Sequence, residues 1–160
     1  MSRHLSDWLD SYLKYTEGQE SPEKFHLWTG LAILSASLKR QVWLKRGYYT
    51  LFPNIYVLLV AESAKARKSA ALDIGMKILT EAVTDIHCIS DRATPEGIIK
   101  HLNRSTTITA GKSVVRLDSH FLLYADELAS LFGFDRQIAS RMAIFLTRTY
   151  MAPPSYRHTT

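Results

Sequence analysis

An apolar run that gives way to small residues and then to Arg67-Lys68-Ser69 constrains this chain more than any other stretch. Asn54-Ile55-Tyr56-Val57-Leu58-Leu59-Val60 reads as a buried strand, Ala61-Glu62-Ser63-Ala64-Lys65-Ala66 as a turn, and Ser69-Ala70-Ala71-Leu72 as the opening of a helix. That is the outline of a phosphate-binding loop. Backbone N–H groups at the helix N-terminus point at an anion, and the helix dipole adds favourable potential. In this arrangement residues Ala61 to Ala70 form the cradle: Ala61, Glu62, Ser63, Ala64, Lys65, Ala66, Arg67, Lys68, Ser69 and Ala70. Lys68 reaches the β- and γ-phosphates, and the Ser69 hydroxyl binds Mg²⁺. The glycines of the usual G-x-x-x-x-G-K-[ST] pattern are missing. Glu62 and Arg67 stand at the two glycine positions, with Ala61 and Ala64 as small substitutes. A Cβ penalises positive φ, so the loop is expected to take a different path or to wrap phosphate less tightly. The same residues also suit a basic surface turn between a core strand and an ordinary helix.

A second stretch weighs on that choice. His120-Phe121-Leu122-Leu123-Tyr124-Ala125-Asp126-Glu127-Leu128 reads as an apolar strand ending in two adjacent carboxylates, at the downstream distance expected of a Walker B element. A continuous apolar run fits a strand buried on both faces of a parallel sheet, and open α/β sheets place ligands at the C-terminal ends of their strands. Asp126 would then hold Mg²⁺ through water, and Glu127 would orient or deprotonate the attacking water, with Lys68 on the phosphates. The alternative is that both carboxylates only cap the helix that begins near Leu128. Two such motifs, in this order and each closing an apolar strand, favour nucleotide binding and hydrolysis over the plainer readings.

Composition is compatible. The chain has 160 residues, 46% hydrophobic and 22% charged, which suits one soluble domain with a real core. No apolar run approaches a membrane span, so no membrane partner is expected. The N-terminus lacks the apolar core of a secretory signal and Cys88 is the single cysteine, so a cytoplasmic location is expected. A net charge of +5 and a pI near 9.4 favour polyanionic partners.

Leu5 to Thr16 carries Leu5, Trp8, Leu9, Tyr12, Leu13 and Tyr15 at helical spacing. Ser21 as N-cap and Pro22 at the first position predict a second helix to about Lys39, docked on the sheet. His26 within it has no second ligand at metal spacing and reads as structural. Gln41 to Phe52 reads as a hairpin turning at Gly47. Its Trp43, Tyr48 and Tyr49 alternate with Lys45 and Arg46, a mixture that suits single-stranded nucleic acid, but packing and edge protection are the preferred reading. A helix after Ser69, with Gly75 set for close packing on the sheet, and a strand over 86–90 would complete a βαβ unit with the 54–60 strand. Cys88 reads as a buried, inert thiol. Thr94-Pro95-Glu96 caps a further helix with Ile98, Ile99 and Leu102 inward, residues 106–118 read as a hairpin, and Asp135 opens a last helix that Pro153-Pro154 stops.

These features together resemble the ATPase domain of phage and mobile-element replication proteins of the primase and helicase kind, which are RecA-like in fold. The resemblance rests on Ser21-Pro22-Glu23-Lys24-Phe25-His26-Leu27-Trp28, Phe52-Pro53-Asn54 with the apolar run behind it, Arg67-Lys68-Ser69, Thr94-Pro95-Glu96-Gly97 and Tyr124-Ala125-Asp126-Glu127-Leu128, and spans nearly the whole chain. It implies an α/β, RecA-like P-loop NTPase core over 54–160, with residues 1–53 as an N-terminal helical and hairpin extension. It further implies an ATP- and Mg²⁺-dependent hydrolase of DNA replication, with single-stranded DNA as a sequence-tolerant partner and a homo-oligomer in the full-length form. The family continues beyond a segment like this one with a sensor strand and an arginine finger, so the chain reads as cut short and its hydrolysis alone as slow. A catalytically impaired nucleic-acid-binding module and a fragment without independent activity are the competing expectations.

Overall fold

The computed structural model describes residues 7–62, 66–90, 93–105, 107–110, 113–116 and 120–152. Among them the fold is mixed α/β, with six helices and three two-stranded sheets. The chain divides into two compact units, each built from two separate stretches: Met1–Leu38 with Ile55–Asp85, and Lys39–Asn54 with Ile86–Thr160.

The first unit is helical: α1 (Trp8–Tyr15), α2 (Glu23–Leu38) and α3 (Lys68–Ala82). Asp7 caps α1 by accepting from the backbone N–H groups of Leu9 and Asp10 at 2.8 and 3.1 Å. α2 packs against both α1 and α3, and two glycines set how closely. A Cβ on Gly30 would stand 2.9 Å from the Tyr12 ring, and one on Gly75 would collide with the Thr29 methyl group. Gly75 therefore serves an approach of α3 to α2, and neither it nor α2 packs on a sheet as expected. The reason is the α2 face itself, where His26, Thr29, Gly30 and Ile33 fall at three- and four-residue intervals and are all buried. Ile33 and Leu79, each 3% exposed, contribute about 1.5–3 kcal/mol apiece by leaving water. Burial pushes the Tyr12 hydroxyl up to about 12.

The expected buried strand over 54–60 is absent. Residues 52–62 join no ladder, and Leu58 and Val60 are 63% and 76% exposed. The βαβ unit expected from 54 to 90 is therefore not formed. High β-propensity does not make a strand without a partner, and the parallel pairing among the described residues is between β3 (Cys88–Ser90) and β6 (Leu122–Tyr124), which take each other.

The second unit opens with the expected hairpin, β1 (Leu44–Arg46) and β2 (Tyr49–Leu51), paired Leu44 to Leu51 and Arg46 to Tyr49. Gly47, with φ +59°, makes its turn. The 106–118 hairpin is also present as β4 (Thr107–Ala110) and β5 (Ser113–Arg116). Three helices complete the unit: α4 (Pro95–Ser105), α5 (Leu128–Phe132) and α6 (Arg136–Tyr150). Thr94 caps α4 by accepting from the Gly97 N–H at 3.1 Å, and Asp135 caps α6 by accepting from Gln137 and Ile138. Ile98, Met142 and Phe145 form the core, with Ile89 of β3 and Leu123 of β6 packed on it. Cys88 is exposed, correcting the buried thiol expected: strand alternation turns Ile89 to the core and its neighbour outward. Partial burial still raises its thiol pKa.

Candidate functional site

Lys68 is the first residue of α3, and its ammonium donates to the Ala61 carbonyl oxygen at 2.9 Å. That contact closes the loop from 61 to 68 on itself and holds the cation, half-buried, at the helix N-terminus. Arg67 occupies the N-cap position with φ +41° and ψ +47°, the left-handed conformation in which a glycine is at ease. Motif counting sets the second glycine of a phosphate loop at this position. The loop thus takes the glycine's backbone geometry with an arginine, at a cost of about 1–2 kcal/mol. Arg67 places no side-chain cap on α3, so the first N–H groups of the helix are not consumed by it.

Two contacts hold Arg67 in place. The Ser21 hydroxyl donates to its carbonyl oxygen at 2.6 Å, and its guanidinium pairs with Glu20 at 2.9 Å, an exposed pair of small energetic weight. Ser21 is therefore not the N-cap of α2, which starts one residue later than expected: Pro22 supplies the carbonyl that receives the first helical bonds, and the serine is committed to the loop. Ser69 and Glu62 are exposed, Ala66 and Ala70 half-buried, and Ser63, Ala64 and Lys65 lie outside the described residues.

The acidic half lies in the second unit. β6 runs parallel to β3 and ends at Tyr124, so Ala125-Asp126-Glu127 follows the C-terminal edge of a parallel pair. The Tyr124 hydroxyl donates to the Asp126 carboxylate at 2.9 Å and fixes its orientation. Glu127 occupies the N-cap position of α5, but its carboxylate makes no cap hydrogen bond; its main-chain oxygen accepts from Ser130 instead. Glu127 thus stands at the cap position with its carboxylate free of a cap hydrogen bond. Both carboxylates are exposed.

The residues fit a magnesium nucleotide in kind, with a lysine and uncapped N–H groups for phosphate, an exposed hydroxyl at Ser69 and a carboxylate pair for a hydrated cation. Among the described residues no group of three or more His, Cys, Asp or Glu is arranged to hold a metal.

Sequence reasoning missed two histidine features. His26 is 1% exposed, and neither ring nitrogen has a hydrogen-bond partner; Tyr12 Oη and Thr29 Oγ1 are likewise buried and unpartnered. His87 stands with its ring centroid 5.7 Å from those of both His101 and His120. Those three lie far apart in sequence, so no local spacing announces them.

The hairpin carries its aromatics in the open: Tyr48 is 98% exposed and Trp43 61%, beside exposed Lys45 and Arg46. Arg40 lies over the Phe52 ring at 4.1 Å. No family model matches the chain, and no curated protein or solved structure is significantly similar to it.

Proposed function

We propose that this chain binds Mg·ATP through a RecA-like P-loop and belongs to a DNA-replication ATPase of the phage or mobile-element kind. The observation that carries the reading is the closed 61–68 loop, with Lys68 drawn to Ala61 and Arg67 in a glycine's conformation immediately before an uncapped helix. A left-handed backbone is costly for a plain surface turn, and a helix N-terminus with no side-chain cap suits an anion. Lys68 would exchange its carbonyl partner for phosphate oxygens. Ser69 and Asp126 would hold the hydrated Mg²⁺, which offsets phosphate charge when bound. Glu127, with its carboxylate uncommitted to a helix cap, would take the proton of an attacking water. The reading requires Lys68 and Asp126 to serve one nucleotide.

Titrating the purified chain with ATP, with and without Mg²⁺, tests this. Wild type should bind in an Mg²⁺-dependent manner, and Lys68→Ala should weaken binding about 10- to 100-fold, the value of a charge-assisted hydrogen bond lost. Equal affinities for the two proteins would remove the phosphate loop from consideration.

A second reading, a nucleic-acid-binding module, is favoured by one observation: the hairpin aromatics are exposed and do not pack as half-buried strand residues would. The two readings are compatible in one protein that spends nucleotide while holding single-stranded DNA.

A further inference from the structure

The loop that presents Lys68 is tied to the start of α2 at a buried point. The Ser21 hydroxyl donates to the Arg67 carbonyl at 2.6 Å, and Ser21 is buried. Pro22 beside it supplies the carbonyl that receives the first bonds of α2, from the N–H groups of Phe25 and His26 at 2.8 and 3.4 Å. His26 closes that first turn, so opening the same turn brings its ring to water. While the turn is closed the ring is buried and neither nitrogen has a partner. A proton taken up there leaves an imidazolium unpaired at the packed side of α2, near the helix end whose dipole repels a cation.

The elements around the ring offer it no buried counter-charge. α1 brings the buried Tyr12 hydroxyl, pushed up to about 12 and so neutral, and the exposed Lys14. The turn after α1 brings Glu17, and α2 itself Glu23 and Lys24, all exposed. The buried positions of α3 are uncharged Ala71, Gly75 and Leu79; Lys68 is half-buried at its start, and Asp73 and Lys77 are exposed. Among the described residues no carboxylate is buried. An imidazolium is thus better served in the opened turn, where water reaches it and Glu23 lies three residues back. Burial lowers the pKa of the ring, so acid favours the opened turn.

We propose that the Ser21–Arg67 tether is an acid-released latch worked by His26: between about pH 7 and 5 the ring takes up a proton, the first turn of α2 opens, and Arg67 is let go. Without the tether Arg67 leaves its left-handed conformation, and the loop loses its hold on an anion. That last step rests on the phosphate-loop reading above; the latch itself does not.

The test follows the histidine ring and backbone amide NMR signals of the full 160-residue chain from about pH 7.5 to 5. The His26 ring, the Phe25 amide and the amides of Arg67 to Ala70 should shift with one shared midpoint, while the amides of α6 stay in place. In His26→Gln the loop amides should hold still over the same range. In Ser21→Ala, which keeps the histidine, they should stand at their acid positions already at the neutral end. Mg·ATP affinity should fall about tenfold more in wild type than in His26→Gln, a comparison that cancels the titration of the phosphates themselves. Loop amides that ignore the His26 titration overturn the latch, as does a ring that titrates only when the whole chain unfolds. Should His26→Gln fail to fold, Ser21→Ala decides: loop amides at their wild-type neutral positions overturn the latch. Should the loop follow His26 while Mg·ATP binds at no pH, the latch stands and the phosphate-loop reading falls.

Discussion

Arg67 is an L-residue in a left-handed conformation, kept there by Ser21 and Glu20. Replacing it separates backbone strain from side-chain contact. Arg67→Ala keeps the strain and loses the exposed ion pair, whereas Arg67→Gly loses the same pair and relieves the strain. The glycine variant should therefore be more stable than the alanine variant by about 1 kcal/mol in denaturant unfolding, and equal midpoints would show that the left-handed backbone is not strained in solution. His26 gives a pH effect whose sign follows from its burial. Its folded-state pKa lies below the ordinary 6.5, so the unfolded chain takes up the proton first. Its contribution is fully present above about pH 6.5 and fades as pH falls through that value toward the folded pKa. Unfolding midpoints measured from pH 8 to 5 should decline more steeply for wild type than for His26→Gln, and parallel curves would assign the decline to other groups.

At the level of elements, patterns carried by a residue and its near neighbours were readable. Asp135 with Gln137, Thr94 with Gly97, and Gly47 between two β-rich runs each mark a boundary within a few residues, and each is found where the sequence puts it. The 54–60 run was misread because a strand is a relation between segments, and an apolar run looks alike whether or not a partner takes it. Gly75 was assigned the right use and the wrong neighbour for the same reason: close packing is local information, but its object, Thr29, is 46 positions away. Of the candidate site, motif spacing singled out Lys68, Asp126 and Glu127 as residue types suited to a nucleotide, and no more than that. The Ser21 tether and the unpartnered His26 were not legible, since neither hydrogen-bond partners nor their absence can be read from spacing. The hairpin supplies a prediction at this scale. Lys45→Glu/Arg46→Glu should weaken binding to single-stranded DNA several-fold and flatten its salt dependence by about 1.4 log units per decade, two contacts at about 0.7 each. Unchanged binding in a filter or anisotropy assay would move the contact off this hairpin.

For the whole molecule, the decisive property is that Lys68 and Asp126 belong to different units. On the proposed reading, bound nucleotide stabilises the folded chain by mass action. At 100 times its Kd, Mg·ATP should add about 2.7 kcal/mol to unfolding. Asp126→Asn should abolish the Mg²⁺-dependent part of that gain while leaving the Mg²⁺-independent part, measured by thermal unfolding with and without EDTA. A variant that keeps the full Mg²⁺ effect would remove Asp126 from the metal site.

The interleaving of the two units also bears on how the protein is made. A ribosome delivers α1 and α2 first, then the hairpin, and only afterwards α3, so the face around Tyr12, Thr29 and Gly30 waits for Gly75 before it can close. The hairpin waits longer, since the Asn54 amide that ends its stretch donates to the carbonyl of Tyr150 near the far end of α6. At about 5–20 residues per second, that leaves several seconds in which the nascent chain displays Trp43, Lys45, Arg46 and Tyr48 without their final anchor. An exposed, cationic and aromatic hairpin is thus synthesised long before the helix that its flanking Asn54 bonds to.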